Sequence, residues 1–134
     1  MAEPKPSIIL DTGALIAVEN KKRKITDALR AAWKADYQIL IPNVVYAEWS
    51  VGADQGLGKR IEGIAEIVGE NREVAKQAGL ALRKLGLDGK EHLADSIVAA
   101  CAKFYGGILY TSDPLDMQRL FAVLEGKRAE IERV

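Results

Sequence analysis

With 134 residues, 49% of them hydrophobic, the chain can close a core without disulfide or metal staples and is too apolar for a disordered segment. Its 19 basic and 19 acidic residues cancel, so its overall field gives a nucleic acid little to hold, and any such partner needs a local patch. The one cysteine, Cys101, excludes an internal disulfide, and no apolar run reaches the roughly 18–20 residues that cross a bilayer. Residues 1–6 lack the cationic and apolar blocks of a signal peptide, so a reducing cytoplasm, away from membranes, is the expected compartment.

In chain order, Ser7-Ile8-Ile9-Leu10 predicts a buried strand ending at Asp11, and an apolar helix follows over 12–18. A basic turn over 20–24 leads to an amphipathic helix over 25–35. Residues 37–41 predict a second strand, stopped by Pro42. That proline suits the first turn of a helix running through Val44, Val45, Ala47 and Trp49. Residues 52–58, with three glycines, read as a flexible loop, 59–67 as a helix, and Ile67-Val68 as a very short strand. A helix over 71–84 closes at 85–89. The strongly apolar stretch 91–105 predicts a helix capped by Gly106-Gly107. A third clear strand over 108–111 leads to Asp113-Pro114, which opens a helix to about 124, and 129–134 suits a closing strand. No internal repeat, low-complexity segment or linker interrupts the chain, so a single domain over 1–134 is expected.

Strands alternate with helices, and the best strands are continuous apolar runs. This pattern predicts an α/β fold: a parallel sheet of about four or five strands, covered by helices on both faces. Ligands of such sheets bind beyond the carboxyl ends of the strands, where Asp11 and Asp113 stand.

Asp11, in Leu10-Asp11-Thr12-Gly13, suits a helix cap as well as a site residue, and so does Asp113 before Pro114. Glu48 breaks an apolar turn (Tyr46-Ala47-Glu48-Trp49) and could equally sit on a solvated face. Asp95 is the most telling, because it interrupts a helix that otherwise reads as buried, and a carboxylate near buried surface is costly unless paired or metal-bound. Asp116 could assist a metal or simply favour the start of its helix. Carboxylates brought to one sheet edge repel one another unless a divalent cation neutralises them, and hard Mg²⁺ or Mn²⁺ suits such a site. The lone His92 makes neither a metal cluster nor a triad and reads as a surface or capping residue. The glycines at 52, 56 and 58 match neither a Walker loop nor a dinucleotide fingerprint. A haloacid-dehalogenase phosphatase needs a second aspartate two residues after the first, where this chain has Gly13.

Four segments together resemble the PIN-domain nucleases, and among them the VapC-type toxins of toxin–antitoxin pairs. They are Ile9-Leu10-Asp11-Thr12-Gly13-Ala14-Leu15-Ile16, Pro42-Asn43-Val44-Val45-Tyr46-Ala47-Glu48, Ala94-Asp95-Ser96-Ile97-Val98-Ala99-Ala100 and Leu109-Tyr110-Thr111-Ser112-Asp113-Pro114. The resemblance implies a three-layer α/β/α sandwich and a Mg²⁺- or Mn²⁺-dependent endoribonuclease. It also implies a VapB-type antitoxin partner and a homodimer. Position by position, Asp11, Glu48, Asp95 and Asp113 match the family's acidic quartet, Thr12 and Ser112 match small hydroxyl positions beside it, and Asp116 matches a frequent extra acid. Asp11 and Asp95 are then the direct metal ligands, and Glu48 and Asp113 complete the site through water or a second ion. RNA would be held by local cations, for which Lys21, Lys22, Arg23, Lys24, Arg60 and Arg72 are candidates. The alternatives are a non-catalytic PIN-type RNA-binding module and another metal-dependent phosphohydrolase.

Overall fold

A computed structural model describes residues 6–134; the expectation about a leader peptide concerns residues 1–6 and so falls almost wholly outside that range. Among these residues, five strands form one parallel sheet in the order β3-β2-β1-β4-β5. They are β1 (Ser7–Leu10), β2 (Gln38–Pro42), β3 (Glu66–Val68), β4 (Gly107–Thr111) and β5 (Ala129–Arg133). The central strand β1 is buried along its whole length, which is why it carries no polar alternation. Registers such as Ile9↔Leu40 and Ile9↔Leu109 stack the apolar runs of β1, β2 and β4 side by side.

Among the described residues, seven helices connect the strands and complete a three-layer α/β/α sandwich. Helices α1 (Thr12–Glu19), α2 (Arg23–Lys34), α3 (Asn43–Ser50) and α4 (Gln55–Ile64) lie in the first half of the chain. Helices α5 (Arg72–Leu85), α6 (Gly89–Tyr105) and α7 (Pro114–Val123) follow, and these three pack on one another. One core cluster runs through the sheet, and a smaller one (Val74, Ala78, Ile97, Ala100, Cys101) joins α5 to α6. Cys101 is buried there, and burial pushes its thiol up to about 12, so it packs as a small apolar residue. No described helix is long and apolar enough to cross a membrane.

The strands progress outward from β1 to β2 and β3, then return to the other side of β1 for β4 and β5. The reversal falls between β1 and β4, so the loops leaving these strands diverge and open a crevice at their carboxyl ends. Gly107 permits the close pairing: its φ is +104°, and a Cβ there would lie 2.9 Å from the Ser7 carbonyl carbon.

Three local expectations are corrected. Pro42 is not the first helical residue; it is extended (φ −57°, ψ 139°), pairs with Val68 at the end of β2 and precedes α3 as its N-cap. The glycine-rich segment is a loop only as far as Asp54, whose carboxylate caps α4 by accepting the Leu57 N–H, so Gly56 and Gly58 are helical. At Gly58 a Cβ would stand 3.3 Å from the Tyr46 hydroxyl, so the missing side chain lets α4 approach α3. Helix α6 starts at Gly89, because Asp88 caps it through the Lys90 N–H; His92 therefore lies one turn inside and pairs with Glu91 at 3.6 Å.

Candidate active site

Asp11 is the first residue beyond β1, and its N–H still reaches the Tyr110 carbonyl of β4 at 3.3 Å. Its carboxylate caps α1, accepting the Ala14 N–H at 2.8 Å, and only 7% of the residue is exposed. Burial raises its pKa above the usual aspartate value, and the nearby Asp113 charge adds to the rise. Hydrogen bonds from the Thr111 hydroxyl and the Ala14 and Ser112 backbones pull the other way.

Thr111 ends β4 with no exposed surface, and its hydroxyl oxygen accepts the Asp113 N–H at 2.9 Å. One buried hydroxyl therefore ties Asp11 to the loop that carries Asp113. Sequence reading treated Thr111 only as the end of a strand; its signal is a polar side chain closing an apolar run. Gly13 brings the other half of this junction together, because a Cβ there would overlap the Ser112 side chain, 2.6 Å from its Cβ. Asp113 stands at the N-cap position of α7, yet its side chain makes no cap hydrogen bond. It is exposed and free to face a ligand.

From α3, Glu48 projects on the exposed side while Val45 and Trp49 are buried. From α6, Glu91, Ala94, Asp95 and Val98 share one face, as their helical spacing requires. Asp95 is half-buried, and the fully buried stretch of α6 starts one residue later at Ser96. Burial raises Asp95's pKa most, the charges of Asp11, Asp113 and Asp116 raise it further, and His92 opposes them. The most deeply buried acid is thus Asp11, not Asp95 as the apolar run in α6 suggests.

These side chains line one cavity of about 320 Å³ at the carboxyl ends of β1 and β4. Its polar lining is Asp11, Glu48, Glu91, Asp95 and Asp113 with the hydroxyls of Thr12 and Ser112, and no lysine, arginine or histidine lines it. Glu91 was not singled out from the sequence, although it sits one turn before Asp95 on the same face. Asp116 lies outside this cavity, in the wall of an adjoining one that also includes Asp95. Among the described residues, none of these aspartates, nor Glu48, is in an ion pair.

The donor chemistry fits a hard divalent cation: every lining charge is a carboxylate, and burial first, with nearby acidic charge second, raises the pKa of the two most buried carboxylates. The fit is one of charge rather than preformed coordination, since no three such side chains among the described residues stand as a ready ligand set. The candidate RNA-holding cations lie elsewhere. Lys21, Arg23 and Arg60 line a groove of about 1060 Å³ shared with Glu19, Asp27 and Asp54, and Lys24 pairs with Glu132 at 3.4 Å.

The family described as PIN domain matches residues 8–120. No curated protein matches the chain. Among solved structures, VapBC2 from Rickettsia felis, bound to a DNA fragment from their promoter, aligns with TM-score 0.73 and 20% identity, covering 96% of this chain and 98% of that one. VapBC-1 from nontypeable Haemophilus influenzae aligns with TM-score 0.69 and 18% identity over 95% of this chain and 97% of that one. A toxin–antitoxin complex from Klebsiella pneumoniae gives TM-score 0.65 and 22% identity over 81% and 88%. At these identities the likeness is one of fold.

Proposed function

The chain belongs to the PIN domain family, and from that membership we propose that it is a metal-dependent endoribonuclease, the toxin of a type II toxin–antitoxin pair. The observation that carries the reading is the cavity at the strand reversal, lined by five carboxylates and no cation. The fold shared with VapBC complexes supports a VapB-type antitoxin as partner; a homodimer and a cytoplasmic location belong to the same reading.

In this reading Asp11 and Asp95 hold Mg²⁺ or Mn²⁺, with Glu48 and Asp113 beside them. When bound, the ion supplies a more acidic water and offsets charge on the phosphodiester. Thr111 keeps the Asp11 carboxylate oriented through its hydroxyl, and the Ala14 N–H holds it from the other side. The Thr12 and Ser112 hydroxyls, on opposite loops of the crevice, donate to phosphate oxygens. The starts of α1 and α7 face the same crevice, and their partial positive charge favours the anionic strand. Glu48, on the exposed rim, orients the attacking water. Hydrolysis breaks the P–O3′ bond and leaves 5′-phosphate and 3′-hydroxyl ends.

The test is digestion of a mixed RNA pool with Mg²⁺ or Mn²⁺, with and without EDTA, beside Asp95→Asn. The expected result is cutting that EDTA abolishes and that the variant lacks. Metal-independent cutting, or full activity in Asp95→Asn, overturns the mechanism. RNA binding without cutting by the unaltered protein points instead to a non-catalytic binding module.

A further inference from the structure

Beside the acidic cavity lies a second one of about 250 Å³, and Asp95 stands in the wall of both. Its apolar walls are Leu85 at the end of α5, Leu87 just beyond it and the buried Leu120 of α7. Its polar members come from α6 and α7: His92, Asp95, Asp116 and Arg119. Arg119 is exposed and makes no ion pair among the described residues. Carboxylate acceptors and a guanidinium donor therefore edge a slot walled by hydrocarbon.

That combination suits an unstacked nucleobase, which presents flat apolar faces and a hydrogen-bonding edge. A phosphate would meet the Asp95 and Asp116 charges, and a purely aliphatic ligand would leave the polar rim desolvated without partners. The cavity is also smaller than the roughly 300–1,000 Å³ of pockets for drug-sized molecules, so one ring system suits it better than a whole nucleotide.

We infer that this cavity takes the base of a nucleotide flanking the scissile phosphodiester, with Leu85, Leu87 and Leu120 against its faces and Arg119 and Asp116 at its edge. The inference rests on the nuclease reading: a strand whose phosphate lies against the acids reaches the second cavity across Asp95. It makes the enzyme selective at one position beside the cut, through a slot rather than through net charge.

The experiment digests a randomised RNA pool with the unaltered protein, Arg119→Gln and Leu87→Trp, sequences the cut ends and melts each protein. The unaltered protein should prefer one base at one position beside the cut. Both variants should still cut, with that preference reduced roughly tenfold or more and with KM raised more than kcat is lowered. Identical sequence profiles and KM values in well-folded variants overturn the base slot and leave the nuclease reading standing. Should Leu87→Trp fail to fold, the exposed Arg119→Gln decides alone. Absence of cutting by the unaltered protein overturns the nuclease reading and this inference with it.

Discussion

Asp11 and Asp113 occupy matching places, each following a central strand and preceding a helix, yet the fold uses their carboxylates differently. Asp11 is buried, caps α1 through the Ala14 N–H and accepts a hydrogen bond from Thr111. Asp113 is exposed and its side chain makes no cap bond; its backbone alone is held, the N–H by the same Thr111 hydroxyl and the carbonyl by the Met117 N–H. One carboxylate is thus tied into the fold, while the other is left without a capping partner at the crevice. The difference arises because Pro114 already supplies the first turn of α7 with a fixed φ and one fewer orphan N–H.

The largest effect should come from charge removal without loss of shape. Asp11→Asn keeps a good cap, since asparagine caps as well as aspartate, yet RNA cleavage should fall by about 10²–10⁴, the scale of a lost catalytic group. Asp113→Asn should fall in the same direction, and kinetics on one RNA substrate would compare the two. Normal turnover by Asp11→Asn would reduce Asp11 to a cap alone.

A substitution at the junction should act on both acids at once. Gly13→Ala forces the start of α1 and the Ser112 loop apart, so a stability loss of about 1–3 kcal/mol is expected from the overpacking. Urea unfolding measures it, and an unchanged midpoint would show that the junction yields freely.

Truncation should separate the two aspartates by stability. Asp11→Ala should lose about 1 kcal/mol with its cap, whereas Asp113→Ala should stay within about 0.5 kcal/mol as an uncapped surface position. Equal losses in urea would erase the distinction drawn between them.

The smallest effect is the pH dependence. Burial and neighbouring charges hold Asp11 and Asp95 above the ordinary aspartate value in the folded chain. The native state therefore binds protons more tightly than the unfolded chain, and their contribution makes stability rise as pH falls from the raised values toward about 3.9. Melting curves without divalent ions should show this rise in the unaltered protein and a weaker one in the Asp11→Asn, Asp95→Asn double variant. Added Mg²⁺ should raise the melting temperature more as pH rises through those raised values, because protons and the cation compete for the same carboxylates.

Much of this architecture was legible because it rests on local patterns. The apolar runs of β1, β2 and β4, the Gly106 stop after α6 and the proline at the start of α7 act through burial period and backbone restriction, which neighbouring residues suffice to specify. Helix starts at Asp54 and Asp88 were missed because a capping carboxylate overrode the weak propensity of the glycines that follow. The four acids and the sheet edge could likewise be read from the chain. Which of them is deepest, that Glu91 joins them, that Asp116 stands apart and that Thr111 links two loops could not be. These follow from the reversal of strand order between β1 and β4, which brings residues about a hundred positions apart within reach of one hydroxyl. By itself the sequence determined the strands, most helices and the acids at their ends. Only the tertiary structure decided which acid is a cap and which is free, because that depends on burial and on partners the chain delivers from its far end.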